Sequence, residues 1–397
     1  MLTRLNVANF RSLERCEISL GRLTVLYGAT GSGKSSLLYA PLVLRNIVLN
    51  PNQATDGLFN LGFLSLGGFD ACIFDHQLKR PVEVAVTSEA DGVAQTYGVS
   101  LTKTQAKLRH ESPNLRMEVE VALPYALNQN RAFDHRVDDT EYKVTWNGVT
   151  CAAAPTAATA ETQAHAVDLT ATLNGAVERV RRIDIAPHRR GFFKPSYNPV
   201  QLSPTPTSED EVASLLISDQ NLPAKVSIDL EEILDRDFRL HVVPGAAMAF
   251  FQTTEKRGSR TPVYLVNDGY GVNQVVYMLA KIHRADVDTV LIEEPEVHLH
   301  PTVVRKFARV LCRLVRDEEK QIIVATHSEH FVSAILACVV EGLVDVDDVF
   351  CYHAKRDRKS TLFERQKVDK SGQIEGGLRE FVEGEMEDLR KLLALKR

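Results

Sequence analysis

An excess of positive charge is missing from this chain. Its 47 Lys and Arg stand against 52 Asp and Glu, for a net charge of −5 and a pI near 6.2, so any contact with nucleic acid must come from a local patch. Cysteine is sparse too. Six occur, at positions 16, 72, 151, 312, 338 and 351, and no two have the CxxC spacing, which argues against zinc-ribbon and thioredoxin-type chemistry and fits a reducing cytoplasm. No segment reaches the roughly 20 apolar residues that cross a bilayer. The first residues interrupt their apolar runs with Arg4, Arg11, Glu14 and Arg15, unlike the core of a signal peptide. Internal repeats and long heptad runs are absent, so no long coiled coil is expected. With 397 residues, 44% of them hydrophobic, the chain has material for one large domain or two ordinary ones.

Against these absences stands one run, Gly28-Ala29-Thr30-Gly31-Ser32-Gly33-Lys34-Ser35, which fits the phosphate-binding pattern GxxxxGKS at every fixed position. Leu23 to Tyr27 reads as a short buried strand before it, and Ser36-Leu37-Leu38 opens a helix after it. Glycines let backbone N–H groups curl around a phosphate, and the helix N-terminus adds partial positive charge. Lys34 is placed to reach the β and γ phosphates, and the Ser35 hydroxyl to meet Mg²⁺.

Further along, Leu2 to Phe10 and Cys16 to Leu20 read as strands, and the helix after Lys34 should run to about Asn50 past Pro41. Asn50 to Gly68 is loop-like. From Pro81 to Leu123 the apolar period becomes two, as in Val82, Val84, Val86 and Met117, Val119, Val121, which predicts antiparallel sheet with one wet face. Glu141 to Val149 predicts a hairpin turning at Asn147-Gly148. The Ala/Thr-rich stretch Cys151 to Thr172 reads as a surface loop or small helix. Ser203 to Ser208 looks like a linker, and Ser208 caps a helix with acids in its first turn. Strands are expected at Asp288–Ile292, Gln321–Ala325 and Asp348–Tyr352. Helices are expected from Pro301, over Phe331–Val340 and over Leu378–Leu395.

The strand Thr289-Val290-Leu291-Ile292 ends in Glu293-Glu294. An NTPase needs one carboxylate at such a strand end for Mg²⁺ and a second to orient the attacking water. Adjacent strand residues point opposite ways, so Glu293 suits the metal and Glu294 the water. His298 and His300 invite a zinc reading, but no further ligand lies near them. Thr326-His327-Ser328 follows the next strand, where His327 is able to reach the γ-phosphate or the water; a surface His at a helix start is the other reading.

Together these residues resemble ABC-type ATPases of the SMC, RecF and OLD group. The resemblance rests on Asn9-Phe10-Arg11-Ser12-Leu13, Gly28 to Ser36, Ile292 to Pro301 and Ala325-Thr326-His327-Ser328. It implies ATP and Mg²⁺. Thr30, Gly31, Ser32, Gly33, Lys34, Ser35 and Ser36 would hold phosphates, and Arg11 and Ser12 would contact adenine or phosphate. It also implies Glu293 near the metal, in place of the usual Asp, Glu294 as base and His327 as a switch. A dimer-contacting loop would run from Glu296 to Pro301. A signature loop capping the partner's ATP falls on Gly269, Gly271 and Asn273, where Ser is usual at position 273; an ordinary glycine turn is the alternative. Gln77 is the candidate glutamine-loop residue near the metal, with a surface Gln equally open.

The densest basic stretch holds Arg179, Arg181, Arg182, His188, Arg189, Arg190 and Lys194, interleaved with Phe192, Phe193 and Tyr197. It suits nucleic acid or a solvated strand and loop with inward aromatics. Val340-Glu341-Gly342 resembles the opening of a TOPRIM nuclease domain, but too few residues follow for that metal site, and a helix end explains the run.

The expected fold is α/β, a P-loop NTPase of ABC-ATPase type with a mixed central sheet, an antiparallel β subdomain and a helical insertion. Its expected divisions are an N-terminal lobe over 1–122, an insertion over 123–261 and a C-terminal lobe over 262–397. The expected function is a cytoplasmic ATPase that dimerises around ATP. It would serve a DNA-linked process such as anti-phage defence with a separate effector, or DNA maintenance, without a membrane. A nucleotide-gated scaffold with little turnover and a transporter ATPase are the alternatives.

Overall fold

The structure is a computed structural model. It describes residues 1–378 except 91, 114, 126–129, 138–139, 244–247, 259 and 376. The chain starts with β1 (Leu2–Phe10) and β2 (Leu13–Ser19), then β3 (Leu23–Tyr27) leads into α1 (Lys34–Leu49). Two one-turn helices, α2 (Thr55–Leu58) and α3 (Phe69–Cys72), precede β4 (Val82–Ala90), β5 (Val93–Leu101), β6 (Gln105–Ser112) and β7 (Leu115–Ala122). Next come β8 (Arg131–Val137), β9 (Thr140–Trp146), β10 (Cys151–Pro155), α4 (Ala160–Arg181) and β11 (Ile183–Ala186). The chain continues through α5 (Glu209–Ser218), α6 (Leu222–Leu234), β12 (Arg236–Val242), β13 (Ala249–Glu255), β14 (Val263–Tyr264) and α7 (Tyr270–Ile282). Finally β15 (Thr289–Glu293), α8 (Pro301–Asp317), β16 (Gln321–Thr326), α9 (Glu329–Val340), β17 (Val349–Asp357) and β18 (Ser360–Gln366) complete the described elements.

Two large sheets organise the molecule. The central one has the order β11-β15-β16-β3-β17-β18, with only β18 antiparallel to its neighbour. It draws strands from all three expected divisions of the chain. The other, β2-β1-β4-β5-β6-β7, is wholly antiparallel. Its strands alternate buried and exposed positions, as in Leu115, Met117, Val119 and Val121 on β7, which the period of two predicted.

The central strands β3, β15 and β16 are buried along their whole length, as a parallel sheet covered on both faces must be. Alternation divides their side chains between two cores. Leu26, Leu291 and Ile323 join α1, α4 and the antiparallel sheet. Val25, Ile292 and Val324 join α5 to α9. Helix α1 therefore lies between two sheets and is buried on nearly every side, which accounts for its almost unbroken apolar sequence. It is tied to α7 by Asp184 of β11. That buried carboxylate lies 3.5 Å from Arg45 of α1, and 2.7 and 2.6 Å from Lys281 and Arg284 in and just after α7.

One expectation changes. The Ala/Thr-rich stretch is a short strand, β10, followed by the 22-residue helix α4. Thr159 and Thr162 form a capping box at its start, and Leu173, Ala176, Val177 and Val180 bury one side. The helix expected over Leu378–Leu395 lies, beyond its first residue, outside the described residues. Among the described residues no helix is long and apolar enough to cross a membrane.

Candidate functional site

The phosphate-loop pattern sits between β3 and α1. The loop is clasped from outside by the β17–β18 hairpin: a side chain at Gly33 (φ 99°) would meet Thr361 Oγ1 at 2.2 Å and Ser12 Oγ at 2.6 Å. Gly31, by contrast, faces open space. Lys34 is buried, and its ammonium donates to the carbonyls of Gly28 and Ala29, each at 2.9 Å, and to Ser32 Oγ at 3.3 Å. Burial pushes Lys34 down to about 8, against the opposing pull of Glu294, Glu296 and Glu293.

A cleft of about 370 Å³ opens over this loop. Thr30, Gly31, Gly33, Lys34, Ser35 and Ser36 line it from the loop side. Arg11 and Ser12 reach it from the β1–β2 turn, and Glu294 and His327 from the ends of β15 and β16. The strand order explains the meeting, because β16 lies between β15 and β3 and all three run parallel. Parallel strands bring their C-terminal ends to one edge, where ligands of open α/β sheets bind. A larger groove of about 640 Å³, lined in part by Arg15, Arg80 and Asp357, lies elsewhere and has no phosphate loop.

The two carboxylates at the end of β15 differ in environment. Glu293 is 4% exposed. The Tyr39 hydroxyl donates to both its oxygens at 2.9 and 2.7 Å, and His188 Nδ1 lies 3.1 Å from Oε2. Burial disfavours its charge, yet hydrogen bonds with Ser35, Tyr39 and His188 outweigh that and hold the carboxyl below its ordinary range. Glu294 leaves the strand with φ 46° while its N–H still bonds Ala325 O at 2.8 Å. Its carboxylate faces the cleft, 3.2 Å from His327 Nε2. The other ring nitrogen, Nδ1, is 3.3 Å from the Lys34 ammonium. Glu296 fixes this histidine's main chain, accepting from His327 N at 2.6 Å and Thr326 Oγ1 at 2.9 Å.

Other expected residues lie apart from the cleft. Gln77 does not line it, and its side chain bonds Asp75. Gly269 caps α7 and Gly271 lies in its first turn. Asn273 is turned inward: its amide accepts from Phe192 N and donates to Phe192 O, each at 2.6 Å, and at 4% exposure the side chain does not reach out to cap a neighbour's phosphate. His298 meets the Tyr270 ring edge-on, and the His300 ring caps α8 through Thr302 N.

The basic stretch is largely consumed within the fold. Arg179 and Arg182 pair with Asp288, Arg181 with Glu178 and Lys194 with Asp210. Arg190 is 3% exposed, and Phe192 and Tyr197 are buried. Arg190 therefore cannot meet a DNA phosphate, and of the aromatics Phe193 alone stands out to solvent.

The model of a protein family described as "AAA domain, putative AbiEii toxin, Type IV TA system" matches residues 23–121 and 154–333, more than half of the chain. The chain belongs to this AAA-domain family. The matched residues of this AAA-domain protein include the phosphate loop, the acidic pair and His327. The OLD nuclease of Thermus scotoductus is 49% identical over 45 residues, 11% of this chain; the match spans only 8% of that nuclease. The SMC head domain from Thermotoga maritima is 13% identical with a TM-score of 0.44, covering 93% of this chain and 99% of that one. An Smc head bound to the C-winged helix domain of ScpA is 12% identical with a TM-score of 0.48, covering 93% and 99%. The mixed α/β fold, with its central sheet and helical insertion, is that of a P-loop, ABC-ATPase-like AAA domain.

Four residues that do not line the cleft support it from behind. Tyr39, His188, Arg190 and Glu296 act through partners up to 254 residues away. His188 and Arg190 showed only as members of the basic stretch, and Glu296 only as the start of the loop to Pro301, with no sign of these partners.

Proposed function

We propose that this AAA-domain protein is an Mg²⁺-dependent ATPase of the SMC/RecF/OLD-like group. The observation that carries this reading is the meeting at one cleft of Lys34, Glu294 and His327, with Ser35 and Glu293 alongside. The residues fit the ligand. Gly31 leaves open space over the loop. Arg11 Nη1 is buried without a hydrogen-bond partner and is a donor for a nucleotide. Ser35 and Glu293 offer the hard oxygen ligands that Mg²⁺ takes, directly or through water. Bound there, Mg²⁺ would supply neutralisation of phosphate charge.

The chain's own groups supply the rest. Lys34 and the loop N–H groups hold the phosphates. Glu294 orients the attacking water and takes its proton, and His327 holds Glu294 in place from the side of Lys34. Two subunits close around ATP, with the Gly269–Gly271 turn and the first N–H groups of α7 facing the partner's nucleotide. Hydrolysis reopens the pair. The protein acts in the cytoplasm beside a separate effector, in anti-phage defence or another DNA-linked process. The family's description, which names a type IV TA system, supports a defence role.

The test is phosphate release from ATP–Mg²⁺ together with light scattering. Glu294→Gln should lower turnover by about 10²-fold or more and retain ATP in a closed dimer. Unchanged turnover in this variant would overturn the assignment.

A further inference from the structure

Segment 187–194 follows β11 and crosses from the end of β15 to the first turn of α7. At one end, Arg190 donates Nη1 to Glu293 O at 2.6 Å and to Pro187 O at 2.8 Å, and Nη2 to Glu294 O at 2.7 Å. A guanidinium is a rigid planar fork, and here it spans two successive carbonyls of the acidic pair. The side chain is 3% exposed, so this grip is dry. At the other end, both main-chain groups of Phe192 are held by Asn273 of α7. Gly191 permits that approach, because a side chain there would lie 2.9 Å from Asn273 Oδ1. The Phe193 ring then lies 5.8 Å from the ring of Tyr270, the first residue of α7.

The grip acts where the backbone needs it. Glu294 has φ 46°, a left-handed conformation that a residue with a side chain resists. Such conformations persist only where the surroundings over-determine them. The Glu294 N–H is fixed by Ala325 O and its carbonyl by Arg190. We propose that Arg190 is a positioning residue for Glu294, and that segment 187–194 is a strap carrying displacements of the α7 N-terminus to the acidic pair. The path is short and continuous: Asn273 holds Phe192, and Arg190 lies two residues before it. Close-packed interiors transmit such shifts instead of absorbing them. Coupling is reciprocal, so a shift at Glu294 also moves the first turn of α7. The inference rests on the proposed role of Glu294 as base.

The experiment compares wild type with Arg190→Met, Arg190→Lys, Asn273→Ala and Glu294→Gln. It measures kcat, KM and ATP affinity by calorimetry, and hydrogen exchange over residues 190–193, 270–274 and 293–296. Arg190→Met should lower kcat by about 10²-fold, the scale of an ångström's misplacement, with ATP affinity within about threefold. Arg190→Lys should recover part of kcat, because it keeps the charge but not the fork. Asn273→Ala should lower kcat less and raise exchange at 293–296, a site it does not touch. The proposal is overturned if Arg190→Met turns over within about twofold of wild type while Glu294→Gln does not. It is also overturned if ATP affinity falls in step with kcat. Should Arg190→Met fail to fold, Arg190→Lys and Asn273→Ala decide by the same split. A wild type without turnover would sink the ATPase reading instead. The exchange arm then decides the strap alone, and unchanged exchange at 293–296 in Asn273→Ala rejects it.

Discussion

The loop from Gly28 to Ser35 and the turn from Gly269 to Asn273 look alike in sequence. Each is a glycine-rich stretch opening a helix. In the first, Lys34 is buried under a cleft with Glu294 and His327 beside it. In the second, the one side-chain amide able to meet a phosphate is spent on Phe192. Both have helix N-terminal N–H groups, so the difference lies in where the polar side chains point. The second turn therefore offers a phosphate main-chain N–H groups alone, whereas the first adds the Lys34 ammonium.

The largest break in this comparison is Lys34→Ala. It removes the loop's one cation, and ATP binding measured by calorimetry should be lost; an unchanged affinity would make the two turns equivalent. Next is Gly33→Ala, which forces a side chain against Thr361 and Ser12 at a positive φ. Left-handed strain of roughly 1–2 kcal/mol, added to that overlap, should weaken ATP binding well before it unfolds the protein. Thermal melting with and without ATP separates the two effects. The smallest effect belongs to Asn273→Ala. It strands two main-chain groups of Phe192, so denaturant unfolding should show a loss of about 1–3 kcal/mol, while ATP still binds each subunit. A stability equal to wild type would return Asn273 to an outward role.

How legible each part was follows from the same contrast. The antiparallel strands β4 to β7 showed in the alternation of Val82, Val84 and Val86, because one of their faces meets water. The phosphate loop and the acidic strand end are contiguous in sequence, and the chemistry they need is local. The partners of Glu293 are not local: Tyr39 and His188 reach it through tertiary packing. The basic stretch matches the reading of a strand and loop with inward aromatics, and its ion partners were hidden for a related reason. Asp288, which takes both Arg179 and Arg182, lies more than a hundred residues away, so charge that looks free in sequence is already matched. Helix α4 escaped because its Ala and Thr residues give a weak apolar stripe, and its capping box uses Thr162 where Glu or Gln is the familiar signal.

One feature of the central sheet bears on how the protein is made. Strand β3, which ends in the phosphate loop, pairs on one side with β16 and on the other with β17. Both neighbours are translated roughly 300 residues after Tyr27. At about 5–20 residues per second, the ribosome leaves Leu23, Val25 and Leu26 without their sheet for roughly 15–60 s. During that interval α1, the antiparallel strands β4 to β7 and α4, which share a core with Leu26, emerge first, so the strand that feeds the phosphate loop gains cover on that face before its strand neighbours arrive.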